Sequence, residues 1–319
     1  MTLCNKHQTN NRIQFMDIAK GIGIFLVVYG HTTGCLLKPY IFLFHMPLFF
    51  LVSGYFYRKS GDGMAYAFNK VKSLIVPYIY YIVVLNAIFF LLYYCINKPF
   101  QFYPSILIRP YGVATILWFF LALFWVSVLY RVIDFWNKSF LIVATVLLYV
   151  MGVLLSIYNI RLPLYLDSAC TAIVFYGLGN WYGKVPRIKY FVYVMGILAC
   201  IYCFLRGDFP IIDMKENQYG NFFYVFISSS VSILTVELSR LIGKQRFLGG
   251  ILSYLGRNSL YIFTTHLLAF EFLYLVFPQN SVAYSILIAV FAIPLSLLLN
   301  YILKVEETFS FIDKKLVRE

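Results

Sequence analysis

The chain has 319 residues, of which 61% are hydrophobic, 20% are aromatic and only 12% are charged. A soluble globular domain carries about 25% charged residues, so this composition excludes a soluble globular enzyme and indicates a polytopic membrane protein. The net charge of +13 comes from basic residues in short segments between apolar runs. That pattern is typical of membrane topology signals and argues against nucleic acid as a partner.

Ten apolar runs are long enough to cross a bilayer, which takes about 20 mostly apolar residues. They cover residues 15–37, 41–57, 73–96, 112–130, 139–158, 163–183, 189–205, 220–241, 254–277 and 281–304. With both termini in the cytoplasm, the inner segments carry 19 lysines and arginines and the outer segments carry 6. This bias predicts an all-α transmembrane bundle of about ten spans in the inner or plasma membrane, with cytoplasmic termini. No internal repeat or appended soluble segment is visible, so residues 1–319 are predicted to form a single domain.

The first span carries ionisable side chains in an otherwise apolar sequence. Read as one helix from about Asp17 to Leu37, it places Asp17, Lys20 and His31 on one face, because Lys20 and His31 are about 20° from eclipsed. The rise from Lys20 to His31 is roughly 16 Å. Charged groups in a bilayer are costly and usually face a protein interior or a water-filled cavity. We therefore predict that this face points inward, with a cation near one membrane surface and an imidazole deep in the membrane.

Three of the four histidines fall inside spans, at His31, His45 and His266. In the predicted orientation, their depths allow all three to border one cavity in the outer half of the membrane. Ser259 lies seven residues before His266, on the same helix face, and is a candidate substrate-binding residue. Several histidines at compatible depths in so apolar a chain favour a functional site over satisfied packing.

Two longer polar segments, residues 97–109 and 206–219, are assigned to the outside. They are interpreted either as the entrance for a polar acceptor or as solvated connectors. The acidic residues that fall toward the same side are Asp167 and Glu271. The Cys200-Ile201-Tyr202-Cys203 motif lies in an apolar run, and we predict no metal or redox site there.

The ordered motifs of the chain resemble those of the acyltransferase-3 family of integral-membrane acyltransferases. The motifs are Asp17-x-x-Lys20-Gly21 leading to Gly30-His31, Phe44-His45-Met46-Pro47-Leu48-Phe49-Phe50 with Ser53-Gly54-Tyr55, Leu74-Ile75-Val76-Pro77-Tyr78, Leu117-Trp118-Phe119-Phe120-Leu121, and Leu255-Gly256-Arg257-Asn258-Ser259-Leu260-Tyr261-Ile262 with His266. The resemblance covers almost the whole chain and is strongest to the branch described as fucose 4-O-acetylase-like. Many members carry arginine where this chain has Lys20, and an Arg-x-x-Arg where it has Lys70-Val71-Lys72.

The resemblance implies an O-acyltransferase that uses acetyl-CoA as a cytosolic donor, with no bound cofactor, and a sugar hydroxyl as the acceptor. It implies His31 as the base or as part of a His-centred acyl-transfer step, and an imidazole of unperturbed pKa ~6.5 suits that role. His45 and His266 match histidines common in this branch and, with Asp17, are the further candidate catalytic residues. Asp17 is interpreted as a charge partner of Lys20 at i+3, either within the site or as an ion pair that anchors the helix.

The basic residues at the inner end suit the phosphate-rich end of the donor, because cations pair with phosphate. These candidate donor-binding residues are Arg12, Lys20, Lys70 and Lys72. For Lys70 and Lys72, an ordinary topology signal explains the charge equally well.

Two alternatives remain open from the sequence. A transporter or exporter of a glycan or lipid also suits ten spans with buried charges, although no inverted repeat is visible. The same fold with another acyl group, such as succinyl, is the second alternative.

Overall fold

The computed structural model describes residues 2–59, 62–95, 97, 107–185, 187–207, 212–219, 221–277 and 282–303, with side chains from residue 14 onward except at 282 and 283. Within these ranges the chain is helical and forms no strand. The only β-type pairing there is an isolated antiparallel bridge between Asp213 and Gln218. The predicted all-α fold is confirmed.

The helices follow the ten predicted apolar runs, and each run overlaps at least one of them. They are α1 Thr2–Gly30, α2 Lys38–Tyr55, α3 Gly63–Lys70, α4 Val76–Cys95, α5 Trp118–Ile133, α6 Lys138–Ile157, α7 Leu166–Lys184, α8 Ile188–Arg206, α9 Tyr224–Ile242, α10 Arg246–Arg257, α11 Ser259–Val276 and α12 Val282–Ile302. A π-helical turn, Val71–Ile75, joins α3 to α4, and 3-10 turns at Gly112–Leu117 and Pro163–Tyr165 precede α5 and α7. Pro77, which has no amide hydrogen to donate, is the second residue after the π-helical turn.

Seven helical segments in the described ranges are long and apolar enough to cross a membrane, which makes this a multi-pass membrane protein. They are Gly63–Cys95, Gly112–Ile133, Lys138–Ile157, Ile188–Arg206, Tyr224–Ile242, Ser259–Val276 and Tyr284–Ile302. The ten-span count and the cytoplasmic location of the termini stay predictions. We call the end of the bundle near Lys20 the inner end and the opposite end the outer end, following the predicted orientation.

The more polar helices α1, α2 and α7 lie inside the bundle. Helix α2 packs against α1, α7 and α9, and α7 packs against α2, α5 and α6. By contrast, the most apolar windows of α6 and α8 are only 28% and 22% buried. This arrangement follows from the cost of exposing polar side chains to lipid, since the outer helices shield the inner ones.

Helix α1 packs closely against α10 at a pair of glycines. A Cβ atom on Gly21 would overlap the carbonyl of Leu252, and one on Gly256 would overlap the carbonyl of Asp17. The absence of side chains at both positions lets the two backbones touch, as small residues do between membrane helices. This contact fixes the position of the helix that leads to His31.

Two helix boundaries differ from the sequence prediction. Helix α1 ends at Gly30 and not at Leu37, so the predicted helix from Asp17 to Leu37 is wrong at its end. The Thr32 hydroxyl donates a hydrogen bond to the carbonyl of Tyr29 (2.7 Å), which satisfies a terminal carbonyl that a longer helix would use.

The predicted span 254–277 is likewise divided, because α10 ends at Arg257 and α11 starts at Ser259. The Asn258 side chain donates to the carbonyl of Tyr254 (2.9 Å) at this break. Local side-chain bonds of this kind compete with the helical backbone.

Candidate active site

Three histidines from distant parts of the chain meet in one cluster. The His31 ring lies 5.2 Å from that of His266 and 6.4 Å from that of His45, measured between centroids. His31 stands in the turn after α1, His45 in α2 and His266 in α11. His45 and His266 are buried, whereas His31 is half-buried. The structure therefore brings together the three imidazoles whose depths allowed them to border one cavity.

Each imidazole is oriented by its own backbone. The Nδ1 atoms of His31, His45 and His266 each lie 2.8 Å from a main-chain carbonyl oxygen. The acceptors are the carbonyls of Val27, Ile41 and Phe263. A carbonyl only accepts, so each Nδ1 carries the hydrogen and each neutral ring keeps its lone pair on Nε2. Among the described residues, Nε2 of the buried His266 has no hydrogen-bond partner.

Phe42 completes the cluster from α2. Its ring lies 5.3 Å from that of His31 and 4.8 Å from that of His45. Phe42 was not among the residues predicted for the site, although its position three residues before His45 places it on the same helix face. The aromatic ring covers two of the three imidazoles and limits the directions from which a ligand reaches them.

A polar loop approaches His31 from the outer end. The charged side chains that act electrostatically on its ring are those of Lys38, Asp213 and Lys215. Lys215 is held by Glu216 (2.9 Å) and by the Thr115 hydroxyl (3.4 Å), which ties this loop to the segment before α5. The loop lies in the segment 206–219 that the sequence analysis interpreted as an entrance or a connector. The action of its charges on the His31 ring favours the entrance.

Glu216 is held ionised in this loop. Burial alone would raise its pKa, but the hydrogen bond and charge of Lys215, with the charges of Arg109 and Arg161, lower the pKa of Glu216 overall. The loop therefore carries fixed charges of both signs near the cluster.

Asp17 and Lys20 form an ion pair within α1, with 2.7 Å between Oδ1 and Nζ. The Asp17 side chain is 11% exposed and that of Lys20 is 25% exposed. The pair accords with both interpretations given above, an anchoring contact and a part of the site. The side chain of Arg12 lies outside the described residues.

The structure places Lys70 and Lys72 away from Lys20. Their segment packs against α5, whereas α1 packs against α10, α2 and α9. The Lys70 ammonium lies 5.4 Å from the centre of the Tyr66 ring, and the Lys72 ammonium lies 4.9 Å from that of Phe68. Their charges therefore belong to a different helix pair from that of Lys20.

A cavity of about 500 Å³ opens beside this segment at the inner end. Its polar lining comes from Asp62, Tyr66 and Arg131, and Phe135 and Trp136 line its apolar part. Because Tyr66 also contacts Lys70, this lysine stands next to the cavity. A volume of this size is typical of a small-molecule site.

The structure also places the remaining polar residues that the sequence singled out. Ser259 is buried at the start of α11, about two turns before His266. Asp167 is buried at the start of α7, where Arg161 is its ion-pair partner. Glu271 is half-buried in α11. Across the described ranges, no three metal-binding side chains are grouped so as to hold an ion.

Comparison with known proteins identifies the family. The profile of the family described as "Acyltransferase domain" (Acyl_transf_3) matches residues 13–304. The chain is also 42% identical over 74 residues to nodulation protein NolL of Mesorhizobium japonicum and 27% identical over 165 residues to nodulation protein NolL of Sinorhizobium fredii. These matches cover 19% and 46% of this chain, and 19% and 44% of the respective relatives. No solved structure matches. Since the family profile covers most of the chain, the protein belongs to the acyltransferase-3 family of membrane acyltransferases.

Proposed function

We propose that the protein transfers an acetyl group from cytosolic acetyl-CoA to a sugar hydroxyl of a surface glycan or of its lipid-linked precursor. Membership of an acyltransferase family favours this reaction over the transport of a glycan or lipid. The acetyl donor and the sugar acceptor follow from the resemblance to the fucose 4-O-acetylase-like branch.

The observation that carries the proposal is the common orientation of the three imidazoles. With each Nδ1 committed to a carbonyl, each Nε2 is available as a base. His31 is the only one of the three that is not fully buried, so it is the imidazole that an incoming substrate reaches most easily.

In the proposed reaction, Nε2 of His31 accepts the proton of the sugar hydroxyl as the oxygen attacks the thioester carbonyl. The carbon–sulfur bond then breaks, and the coenzyme A thiolate leaves and takes the proton from the imidazolium. General-base assistance of this kind contributes on the order of 10²–10⁴ in rate. His45 and His266 lie beside His31 and provide polar side chains around the reacting groups.

The donor is proposed to enter from the inner end. The cavity lined by Tyr66 and Arg131 lies next to Lys70. The positive charges of Arg131 and Lys70 suit the phosphates of the nucleotide. Lys20 supplies a further cation on the helix that leads to His31, roughly 16 Å along the axis from it. An extended pantetheine arm is of similar length.

The direct test is the acetylation of the cell surface with and without the protein. Cells that lack the chain should lose O-acetyl groups from their glycans, and wild-type chain should restore them, whereas His31→Ala should not. Purified protein in nanodiscs should transfer labelled acetyl from acetyl-CoA in preference to succinyl from succinyl-CoA. Glycans that lose length or export but keep their O-acetyl groups would contradict the proposal and support a transporter.

A further inference from the structure

Charged side chains gather at the outer end, around the start of α7 and the loop 212–219. We call this group the outer charged cluster, and its members are Arg109, Arg161, Asp167, Asp213, Lys215 and Glu216. Glu216 is under the electrostatic influence of Lys215, Arg109 and Arg161. The buried Tyr165 ring is under that of Arg109, Glu216, Asp167 and Asp213. The group is therefore one connected cluster drawn from several loops.

The centre of this cluster is a buried carboxylate whose bonding is incomplete. Asp167 is 1% exposed, and its Oδ1 atom has no hydrogen-bond partner among the described residues. Arg161 lies 3.7 Å from the other oxygen, which is longer than a hydrogen bond, and the donors to the carboxylate are the backbone amides of Asp167 and Ser168 at the start of α7. A buried carboxylate oxygen without a donor is costly. The site is therefore suited to a ligand that supplies a donor to it.

Further unsatisfied polar atoms surround Asp167. In the described part of the chain, Ser168 Oγ and Asn217 Oδ1 are buried without a hydrogen-bond partner. The Asn217 amide donates to the carbonyl of Gly152 (3.3 Å), and the neighbouring Thr171 and Tyr219 hydroxyls are hydrogen-bonded to each other. Buried polar atoms thus continue from α7 to the loop 212–219.

The backbone that leads into this site is strained. Leu164 and Tyr165 both adopt left-handed conformations, with φ angles of 56° and 59°. Two successive residues with side chains rarely do so. Such outliers persist where the surrounding structure holds them, often at ligand sites. Here they turn the chain directly into the helix that carries Asp167.

The cluster adjoins the histidines. Asp213 and Lys215 belong to the cluster and also act on the His31 ring. A row of ring contacts runs from Tyr165 through Trp118, Phe119 and Phe263 to His266, with centroid distances of 5.9, 6.3, 5.5 and 6.1 Å. The cluster and the imidazoles therefore belong to one continuous region of the outer end.

The charges indicate the chemistry of that ligand. The cluster holds three cations and three anions, so an ionic ligand gains no net attraction from it. Its buried oxygens need hydroxyl donors, and its guanidinium and ammonium groups need oxygen acceptors. A sugar ring offers both, because each hydroxyl donates and accepts.

We infer that the outer charged cluster is the binding subsite for a neutral pyranose ring of the acceptor, with Asp167 accepting a hydrogen bond from a ring hydroxyl that does not react. The inference rests on the proposed function and names the acceptor side of the same site. Arg161 is its second recognition residue.

The test measures sugar binding without turnover. Protein in nanodiscs is titrated with the methyl glycosides of glucose, galactose, fucose and rhamnose, and with methyl glucuronide, by ligand-observed NMR. At least one neutral glycoside should bind to the wild type, and methyl glucuronide should not bind more tightly than the glucoside. Asp167→Asn and Arg161→Gln should each weaken the binding about tenfold or more, as expected for the loss of a charged hydrogen-bond partner.

The matched control is Glu237→Gln, which removes an inner-end carboxylate paired with Lys189 (3.0 Å) and should leave binding unchanged. Thermal unfolding of each variant shows whether it is folded, and Arg161→Gln, at a partly exposed side chain, keeps the test valid if Asp167→Asn is unstable. Absence of binding to every neutral glycoside, or wild-type affinity in the folded variants, overturns the inference. Binding that depends on Asp167 without any acetyl transfer from acetyl-CoA leaves the inference standing and overturns the proposed function instead.

Discussion

The rings of His31 and His266 lie 5.2 Å apart although they belong to opposite ends of the chain. The contact depends on α1 resting on α10, because α11, which carries His266, follows α10 after Asn258 alone. The glycine contacts between α1 and α10 are thus part of what sets the geometry of the histidine cluster. Packing at Gly21 and Gly256, near the inner end, therefore affects the positions of His31 and His266 farther toward the outer end.

Replacement of His31 should remove turnover and leave the fold intact. His31→Ala should lower the acetyl-transfer rate by on the order of 10²–10⁴, because the proposed general base is lost. The measurement is acetyl transfer by purified protein, with abundance in the membrane checked in parallel. Thr33→Ala, at an exposed position in the same turn, is the matched control and should keep normal activity. Full activity of His31→Ala would remove the base from the proposal.

Replacement of Lys20 should show whether this lysine binds the donor or only anchors the helix through its ion pair with Asp17. Lys20→Ala should weaken acetyl-CoA binding if the lysine pairs with a donor phosphate, whereas Lys20→Arg should be mild because the charge is kept. His31→Ala should bind the donor normally. Equilibrium binding of acetyl-CoA to the three variants decides the question. Wild-type affinity of Lys20→Ala would show that the ion pair with Asp17 (2.7 Å) only holds the helix.

The inner cavity should contribute to donor affinity through Lys70. Lys70→Ala should raise the KM for acetyl-CoA several-fold with little change in kcat, because its charge is proposed to attract phosphate before the reaction. Lys184→Ala removes an exposed charge at the inner end of α7 and should leave both parameters unchanged. Equal effects of the two substitutions would mean that only the overall charge of the inner surface matters.

A side chain inserted at the contact between α1 and α10 should be destabilising. Gly256→Ala puts a methyl group against the Asp17 carbonyl and should cost about 1–3 kcal/mol of stability, as overpacking does. Gly250→Ala, in the same helix but with no atom near its Cβ position, should gain up to about 1 kcal/mol from helix propensity. Thermal unfolding in detergent compares the two. A stable Gly256→Ala protein would show that the two helices move apart easily.

Labelling of single cysteines should establish the orientation. In a background without the native cysteines, probes at Tyr158 and Arg206 should react from outside the cell, and probes at Trp136 and Arg187 only from inside. These positions flank α6 and α8 and are exposed. Reaction at Arg187 from outside would contradict the orientation inferred from the distribution of lysine and arginine.

Much of the helical framework could be predicted from the sequence, because a bilayer demands about 20 apolar residues for each span. The end of α1 could not be predicted, because it depends on a hydrogen bond that the Thr32 hydroxyl donates to the carbonyl of Tyr29. The break at Asn258 has the same cause. Hydropathy records neither of these local bonds.

The histidine cluster could be predicted in part. Depth along the spans allowed His31, His45 and His266 to border one cavity, but it carries no information about the contacts between helices. The approach of Lys215 to His31 and the separation of Lys70 from Lys20 both depend on which helices pack together. Those pairings come from interactions between segments far apart in the chain.

The central position of the polar helices has a consequence for synthesis. Helices α1 and α2 are synthesised before their partners α7, α9 and α10, which follow more than a hundred residues later. Until then, the ionisable groups of α1 lack the protein surroundings that make them tolerable in lipid. The nascent chain therefore has to hold its most polar segments in a provisional arrangement, and the site acquires its third imidazole only when α11 has been made.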